Sequence, residues 1–390
     1  MKKIVSVLLI FALLTSPFII FAEDTPDHAA VAATGTAASI EEQITAKAAL
    51  LMEASTGKIL FEKDKDVSLP PASVTKIMTM LLGMEAISNG QIEFTDIVTC
   101  STAASKMGGS QVYLKEGEKM TVNELFKAIA VASGNDASVM LAEYIAGSEG
   151  EFIDLMNKRA AQLGMENTNF VNCTGLEDAA HRTTANDVAI MSKELLRHEK
   201  ILDYTSIWMD SLRDGQFTLA NTNRLIRFYN GANGLKTGST DAALYCVSAS
   251  AKRNDMQLIA VILGGSTSDE RFNQASKLLD YGFAKYTVAN IKDETGITPV
   301  KVIKGVKLSV PVAASGEMNI VVEKGKEKLI EKKISIINEI KAPVEKNFQA
   351  GEIIVTLEGE EITRIPILTT DSVKKGSILF YIKTLLEKMY

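Results

Sequence analysis

Three short clusters in the chain carry residue types that could do chemistry together. Ser73-Val74-Thr75-Lys76 puts a hydroxyl and an amine one helical turn apart, since positions i and i+3 share a face. A serine hydroxyl is a weak nucleophile until a base takes its proton. A lysine can be that base where burial and nearby cations depress its pKa. Ser133-Gly134-Asn135 supplies a second hydroxyl, suited to relaying a proton near Lys76, and an amide that can hydrogen-bond a substrate amide. Lys236-Thr237-Gly238 supplies a positive charge, a hydroxyl donor and a glycine that permits close backbone approach. Each cluster also has a plainer reading. Ser-x-x-Lys recurs by chance and suits a helix-capping serine beside a solvated lysine. Ser-Gly-Asn suits a turn between helices, and Asn233-Gly234 suits a β-turn before an ordinary edge strand.

The surrounding pattern must hold these groups in place. Pro70-Pro71 stop a strand and set up a helix from Ser73 to Met84. At its start the Ser73 N–H points outward, where the helix dipole favours developing negative charge. Apolar runs Ala48–Met52 and Ile59–Phe61 around Ser55-Thr56-Gly57-Lys58 predict a hairpin over 46–64. Residues 122–147, 150–163, about 185–197 and 270–285 read as helical. Ala243–Ser250 and Gln257–Leu263 read as strands joined by Lys252-Arg253-Asn254-Asp255. Lys236 lies on a strand that could take an extended peptide by β-augmentation. The order predicts an α/β domain, an antiparallel sheet with helices packed on it. From about 295, alternating stretches such as Val300-Lys301-Val302 and Ile353-Ile354-Val355, punctuated by glycine, predict a small C-terminal all-β domain.

Composition removes rival chemistries. The 390 residues include three histidines and three cysteines, so a histidine triad or a multi-histidine metal centre has little to work with. A net charge of −6 argues against general nucleic-acid binding. Residues 1–22 read as a secretory signal: Lys2-Lys3, an apolar core from Ile4 to Leu14, and a small residue at Ala22 before Glu23. The rival reading is an uncleaved anchor over Ile4–Ala22, which the Pro17 break and acidic Glu23-Asp24 disfavour. Ala/Thr/Gly-rich residues 23–45 read as a flexible lead-in. Near the other end, Ile378, Leu379, Ile382, Leu385, Leu386 and Met389 fall on one helical arc, with Phe380 off it. Residues 373–390 thus read as an amphipathic helix, either docked on a core or lying in a membrane surface.

Ser-x-x-Lys, Ser-x-Asn and Lys-Thr-Gly in this order form the signature of penicillin-binding proteins and class A β-lactamases. The chain resembles the low-molecular-weight penicillin-binding proteins that act as serine-type D-alanyl-D-alanine carboxypeptidases. The resemblance runs from about 45 to 285 and includes Pro70–Thr79, Gly109–Leu114, Val131–Ala137 and Asn233–Gly238. It implies the penicillin-binding/β-lactamase-like transpeptidase fold over 46–290, a β domain over 295–370, and the terminal helix. It implies that Ser73 attacks the carbonyl between the two D-alanines of a peptidoglycan stem peptide, with Lys76 as base and Ser133 as relay. The N–H groups of Ser73 and Ser239 would form an oxyanion hole. Asn135, Lys236, Thr237, Gly238, Ser239 and Arg271 would bind substrate, the carboxylate falling to Lys236, Thr237 and Arg271. It also implies β-lactam binding, no cofactor or metal, and an exported protein at the outer face of the cytoplasmic membrane or in the periplasm or cell wall. The alternatives are a class A-like β-lactamase, a DD-endopeptidase and a non-catalytic penicillin sensor. Ser-Gly-Asn stands where the β-lactamases carry Ser-Asp-Asn, and no Glu-x-x-Leu-Asn segment is found. Ser239 is a departure, since relatives often carry His or Thr there. Cys100, Cys173 and Cys246 read as buried structural thiols, and His181 as a packing and hydrogen-bonding residue.

Overall fold

A computed structural model describes residues 39–291, 297–316 and 318–389. The expected signal and nearly all of the expected lead-in lie outside the described residues. The lead-in's last residues differ from expectation. Ser39 and Glu42 form a capping box on α1 (Ile40–Gln43), and Ile44 and Ala46 are buried, so the chain is ordered here.

The predicted hairpin is β1 (Ala48–Glu53) and β2 (Ile59–Lys63). α2 (Lys76–Ser88) begins later than expected, because Ala72–Thr75 form a 3-10 turn that carries Ser73. There follow β3 (Ile97–Thr99), α3 (Thr102–Ser105) and β4 (Lys119–Thr121). The helical stretch 122–147 is two helices, α4 (Val122–Ala132) and α5 (Asn135–Ala146). They part where Ser133 adopts a left-handed φ of 62°, which no helix can continue through. α6 (Glu149–Gln162), α7 (Ala185–Leu196) and α8 (Leu202–Thr205) precede a small hairpin of β5 (Met209–Leu212) and β6 (Phe217–Ala220). After α9 (Leu225–Phe228) come β7 (Ala232–Thr240), β8 (Leu244–Arg253), β9 (Met256–Gly265) and α10 (Ser268–Lys285).

The central sheet is antiparallel, in the order β2-β1-β9-β8-β7, with β7 at one edge. Both faces are covered, which is why its inner strands read as continuous apolar runs. Leu50, Met52, Ile259, Val261 and Leu263 face a core shared with the larger helical layer. Their neighbours Ala49, Leu51, Leu258, Ala260 and Ile262 face α10 through Phe272, Ala275, Leu278 and Leu279. The alternation is the two-residue period of a strand.

The rest is β. β10 (Tyr286–Asn290) falls within the stretch expected to end the first domain, yet pairs with β14 (Asn319–Glu323) of the later texture. Between them run β11 (Val300–Ile303), β12 (Ser309–Val310) and β13 (Val312–Ala314). β15 (Ile330–Ile336), β16 (Glu339–Lys341), β17 (Gln349–Leu357) and β18 (Glu360–Thr369) follow. β13-β18-β17-β15 make one sheet and β12-β11-β16 another. The chain then forms α11 (Ile378–Met389). Among the described residues no helix is long and apolar enough to cross a membrane.

Candidate active site

The site is built on the 3-10 turn at Ala72–Thr75, which two glycines allow other backbones to grip. A Cβ on Gly175 would lie 1.9 Å from the Ala72 carbonyl oxygen. A Cβ on Gly238 of β7 would lie 2.7 Å from the Ser73 nitrogen and 2.9 Å from the Pro71 oxygen. Ala72 itself has a φ of 49°, a left-handed conformation held by this packing. The nucleophile candidate is thus pinned between β7 and the loop that contains Gly175.

Lys76 is fully buried, and its amine has three neighbours. Nζ lies 2.9 Å from Ser73 Oγ, 2.6 Å from Asn135 Oδ1 and 2.7 Å from the Thr174 carbonyl oxygen. The last two can only accept hydrogen bonds. A neutral amine has two N–H groups and one lone pair, so the N–H groups go to Asn135 and Thr174. The lone pair is left for the Ser73 hydroxyl. Burial pushes Lys76 down to about 7, against weak opposition from Cys173 and Asp136. The free base is therefore accessible near neutral pH, and it faces the serine.

Asn135 sits at the first position of α5, where Gly134 opens the helix. Besides Oδ1 on Lys76, its Nδ2 donates to the Gly108 oxygen at 2.6 Å and its backbone N–H to the Ser110 oxygen at 2.7 Å. The Asn135 amide thus ties the 108–110 segment to Lys76. The sequence suggests substrate binding for Asn135; the structure adds its hydrogen bond to Lys76. Ser133 is buried at the αL cap two residues before it. The buried Asp136 carboxylate accepts from the N–H groups of Val112 and Leu114, fastening the strip Gly109–Leu114 alongside.

The third cluster lies on edge strand β7. Lys236 is buried, and its Nζ donates to the Thr237 oxygen at 2.9 Å. Burial, then the charges of Lys76 and Arg271, push it well below the ordinary lysine value. A carboxylate arriving beside it would reverse that shift and hold it charged. Thr237 Oγ1 donates to Thr222 Oγ1 at 2.7 Å, while Ser239 is exposed at the end of the strand. Arg271 braces the sheet: its Nη1 donates to the Gly238 and Cys246 oxygens at 3.1 and 3.2 Å, and its Nη2 to Ser268 Oγ at 3.3 Å. Its buried Nε has no partner in the structure, and burial pushes the guanidinium down to about 10. The expected carboxylate contact thus shares Arg271 with a backbone role that the sequence did not suggest.

Ser73, Lys76 and Asn135 are brought into direct contact, Gly238 is packed on the Ser73 turn, and Lys236 is close enough to feel the Lys76 charge. Three contributors were missed. Thr174 presents its carbonyl to Lys76, and Asn172 Oδ1 builds that turn by accepting from the Thr174 and Gly175 N–H groups and the Thr174 hydroxyl. Thr222 supports Thr237. The only signal was turn chemistry in Asn172-Cys173-Thr174-Gly175. The three cysteines are buried and unpaired. Among the described residues no group of three His, Cys, Asp or Glu could hold a metal ion.

The chain is similar to known proteins along most of its length. The profile described as D-alanyl-D-alanine carboxypeptidase matches residues 33–267, and that of the penicillin-binding protein 5 C-terminal domain matches 286–375. The chain is 45% identical to D-alanyl-D-alanine carboxypeptidase DacF of Bacillus subtilis over 343 residues, covering 87% of this chain and 88% of that one. It is 34% identical to DacC of Escherichia coli over 342 residues, 85% of each. The structure of penicillin-binding protein 5 from Haemophilus influenzae superposes with a TM-score of 0.77 at 30% identity, covering 85% of this chain and 98% of that one. A buried lysine aimed at a serine, beside an edge strand, in a chain so related along most of its length, leads to one assignment: this protein belongs to the D-alanyl-D-alanine carboxypeptidase family of penicillin-binding serine peptidases.

Proposed function

We propose that the protein removes the terminal D-alanine from peptidoglycan stem pentapeptides through an acyl-enzyme on Ser73. The observation that carries this is the Lys76 amine, whose two other partners leave its lone pair for the Ser73 hydroxyl. Ser73 Oγ passes its proton to Lys76 and bonds to the carbonyl carbon between the D-alanines. The N–H groups of Ser73 and Ser239 stabilise the oxyanion. Lys76, with Ser133 as relay, returns the proton to the leaving amine, so free D-alanine departs and an ester on Ser73 remains. Water, deprotonated by Lys76, then hydrolyses the ester. Lys236 and Thr237 hold the substrate carboxylate, Arg271 supports the strand that carries them, and Asn135 keeps one N–H for the peptide. A β-lactam follows the first half of the path and stays on Ser73.

The test is an intact mass after penicillin, then a D-alanine assay with a pentapeptide. A lasting adduct on Ser73 with D-alanine release supports the reading. Rapid penicillin turnover without release would make the protein a β-lactamase, and an adduct without either activity a sensor.

Export by residues 1–22 and attachment by α11 belong to the same proposal. Ile378 and Leu379 are 79% and 78% exposed, and Ile382, Leu385 and Leu386 are exposed beside them, an apolar face suited to a membrane surface. Deleting 373–390 should release the protein from membranes into the soluble fraction; retention would sink this part.

A further inference from the structure

His181 belongs to none of the three clusters, yet a chain of hydrogen bonds joins it to the nucleophile's own peptide group. The ring is buried and packs edge-on against Phe170. The Val171 N–H donates to Nδ1 at 3.2 Å, so Nδ1 is the bare nitrogen and Nε2 carries the hydrogen. Nε2 then donates to Thr75 Oγ1 at 2.8 Å. The Thr75 hydroxyl, itself fully buried, donates to the Ala72 carbonyl oxygen at 2.8 Å. Burial pushes His181 down to about 4, which keeps the ring neutral at working pH, and the Val171 N–H selects the tautomer.

The Ala72 carbonyl and the Ser73 N–H are the two ends of one planar peptide unit. Fixing the direction of that oxygen fixes the direction of that N–H. Withdrawing electron density at the oxygen also makes the N–H a stronger donor. The unit needs such fixing, because Ala72 sits at a φ of 49° that its sequence does not favour. Gly175 leaves room for the carbonyl at this angle, its absent Cβ falling 1.9 Å from the oxygen.

We propose that His181 and Thr75 are positioning residues for the oxyanion hole, aiming and polarising the Ser73 N–H through the Ala72 carbonyl. This rests on the reading of Ser73 as nucleophile and of its N–H as an oxyanion donor. The contact strengthens as negative charge develops, so its loss falls on the acylation step and not on the preceding complex.

The test uses the full-length protein and a chromogenic β-lactam, with the acylation rate constant at saturation and the dissociation constant of the preceding complex measured separately. Thr75→Val removes the hydroxyl at nearly constant volume and should slow acylation about tenfold to a hundredfold, less than the outright loss of an oxyanion donor. The dissociation constant should hold. His181→Asn keeps an acceptor for Val171 but falls short of Thr75, and should slow acylation similarly. His181→Gln reaches Thr75 and should recover most of the rate. The infrared ester carbonyl band of the acyl-enzyme should move to higher frequency in Thr75→Val and His181→Asn, reporting weaker hydrogen bonding. A purely structural role would lower melting temperature and the fraction of active sites, leaving rate constant and band unchanged in the sites that react. That outcome overturns the proposal, as does a loss confined to the dissociation constant, or equal rates in the Asn and Gln variants. If Thr75→Val does not fold, the histidine pair decides. Ser73→Ala separates the two claims: an adduct there would overturn the nucleophile assignment itself.

Discussion

The two halves of the molecule treat charge in opposite ways. In the region before β10, Lys76, Lys236, Arg271, Asp136 and Glu53 are all buried, along with many neutral polar side chains. From β10 onward, Thr369 is the one buried polar residue among the described residues, and it is hydrogen-bonded to Phe348 and Glu345. Charges there pair at the surface, as in Lys326 with Glu358 and Arg364 with Glu352 and Glu361. Burying a charge costs several kcal/mol on the order of magnitude, and exposed pairs return little. The first region offsets that cost with two cores packed on both faces of a five-stranded sheet. Among the described residues the second has two smaller clusters, around Val302 and Val355, and adds Val321 to the core beneath α10. Buried charge is concentrated where a depressed lysine pKa is useful, and the rest of the chain avoids it.

The contrast can be broken at several points. The largest effect should come from Ser73→Ala, with acylation falling on the order of a millionfold, as for other serine peptidases that lose the nucleophile. Intact mass would show no adduct. Lys76→Arg replaces the base by a group that cannot lose its proton and should slow acylation by roughly 10²- to 10⁴-fold. In the wild type, acylation should fall as pH drops through about 7, because protonated Lys76 has no lone pair for Ser73. A limb near the ordinary value of 10.5 would refute the effect of burial.

Ile367→Ala, in the Val355 cluster, should cost about 2–5 kcal/mol of stability in the second region. Its acylation rate constant at a temperature where it is folded should equal wild type. A matching fall in rate would show that the regions are not separable. A smaller signal lies in stability against pH. Lys76 and Lys236 have folded pKa values below their unfolded ones, so the unfolded chain binds more protons between them. Stability should therefore rise with pH from 7 to 8.5 in urea titrations, on this account. Lys236→Met should reduce the slope by up to about one proton. An unchanged slope would mean that Lys236 keeps its charge when buried. The smallest effect belongs to Arg364→Ala, whose exposed pairs should leave the melting temperature unmoved.

Local signals carried much of this structure into the sequence. The hairpin of β1 and β2 followed from Ser55-Thr56-Gly57-Lys58 between apolar runs, and β8 and β9 from theirs. α10 began two residues before the expected 270 and ended on the expected 285. The misses were also physical. Ser73 was expected on an α-helix, but packing against Gly175 and β7 imposes a 3-10 turn and a left-handed Ala72. Periodicity across 122–147 did not show that Ser133 breaks the helix to deliver Asn135, although the turn residues Ser133-Gly134-Asn135 offered that reading.

By itself the sequence determined which functional groups exist, the spacing of Ser73 and Lys76 along one turn, and the strand and helix periods around them. Only the tertiary structure decided what each group faces. Lys76 meets Asn135 from 59 residues away and Thr174 from 98, and Thr75 meets His181 from 106. A depressed pKa, a chosen tautomer and an aimed N–H all depend on which atoms replace water around a group. That replacement happens only when distant segments pack, and no local pattern records it.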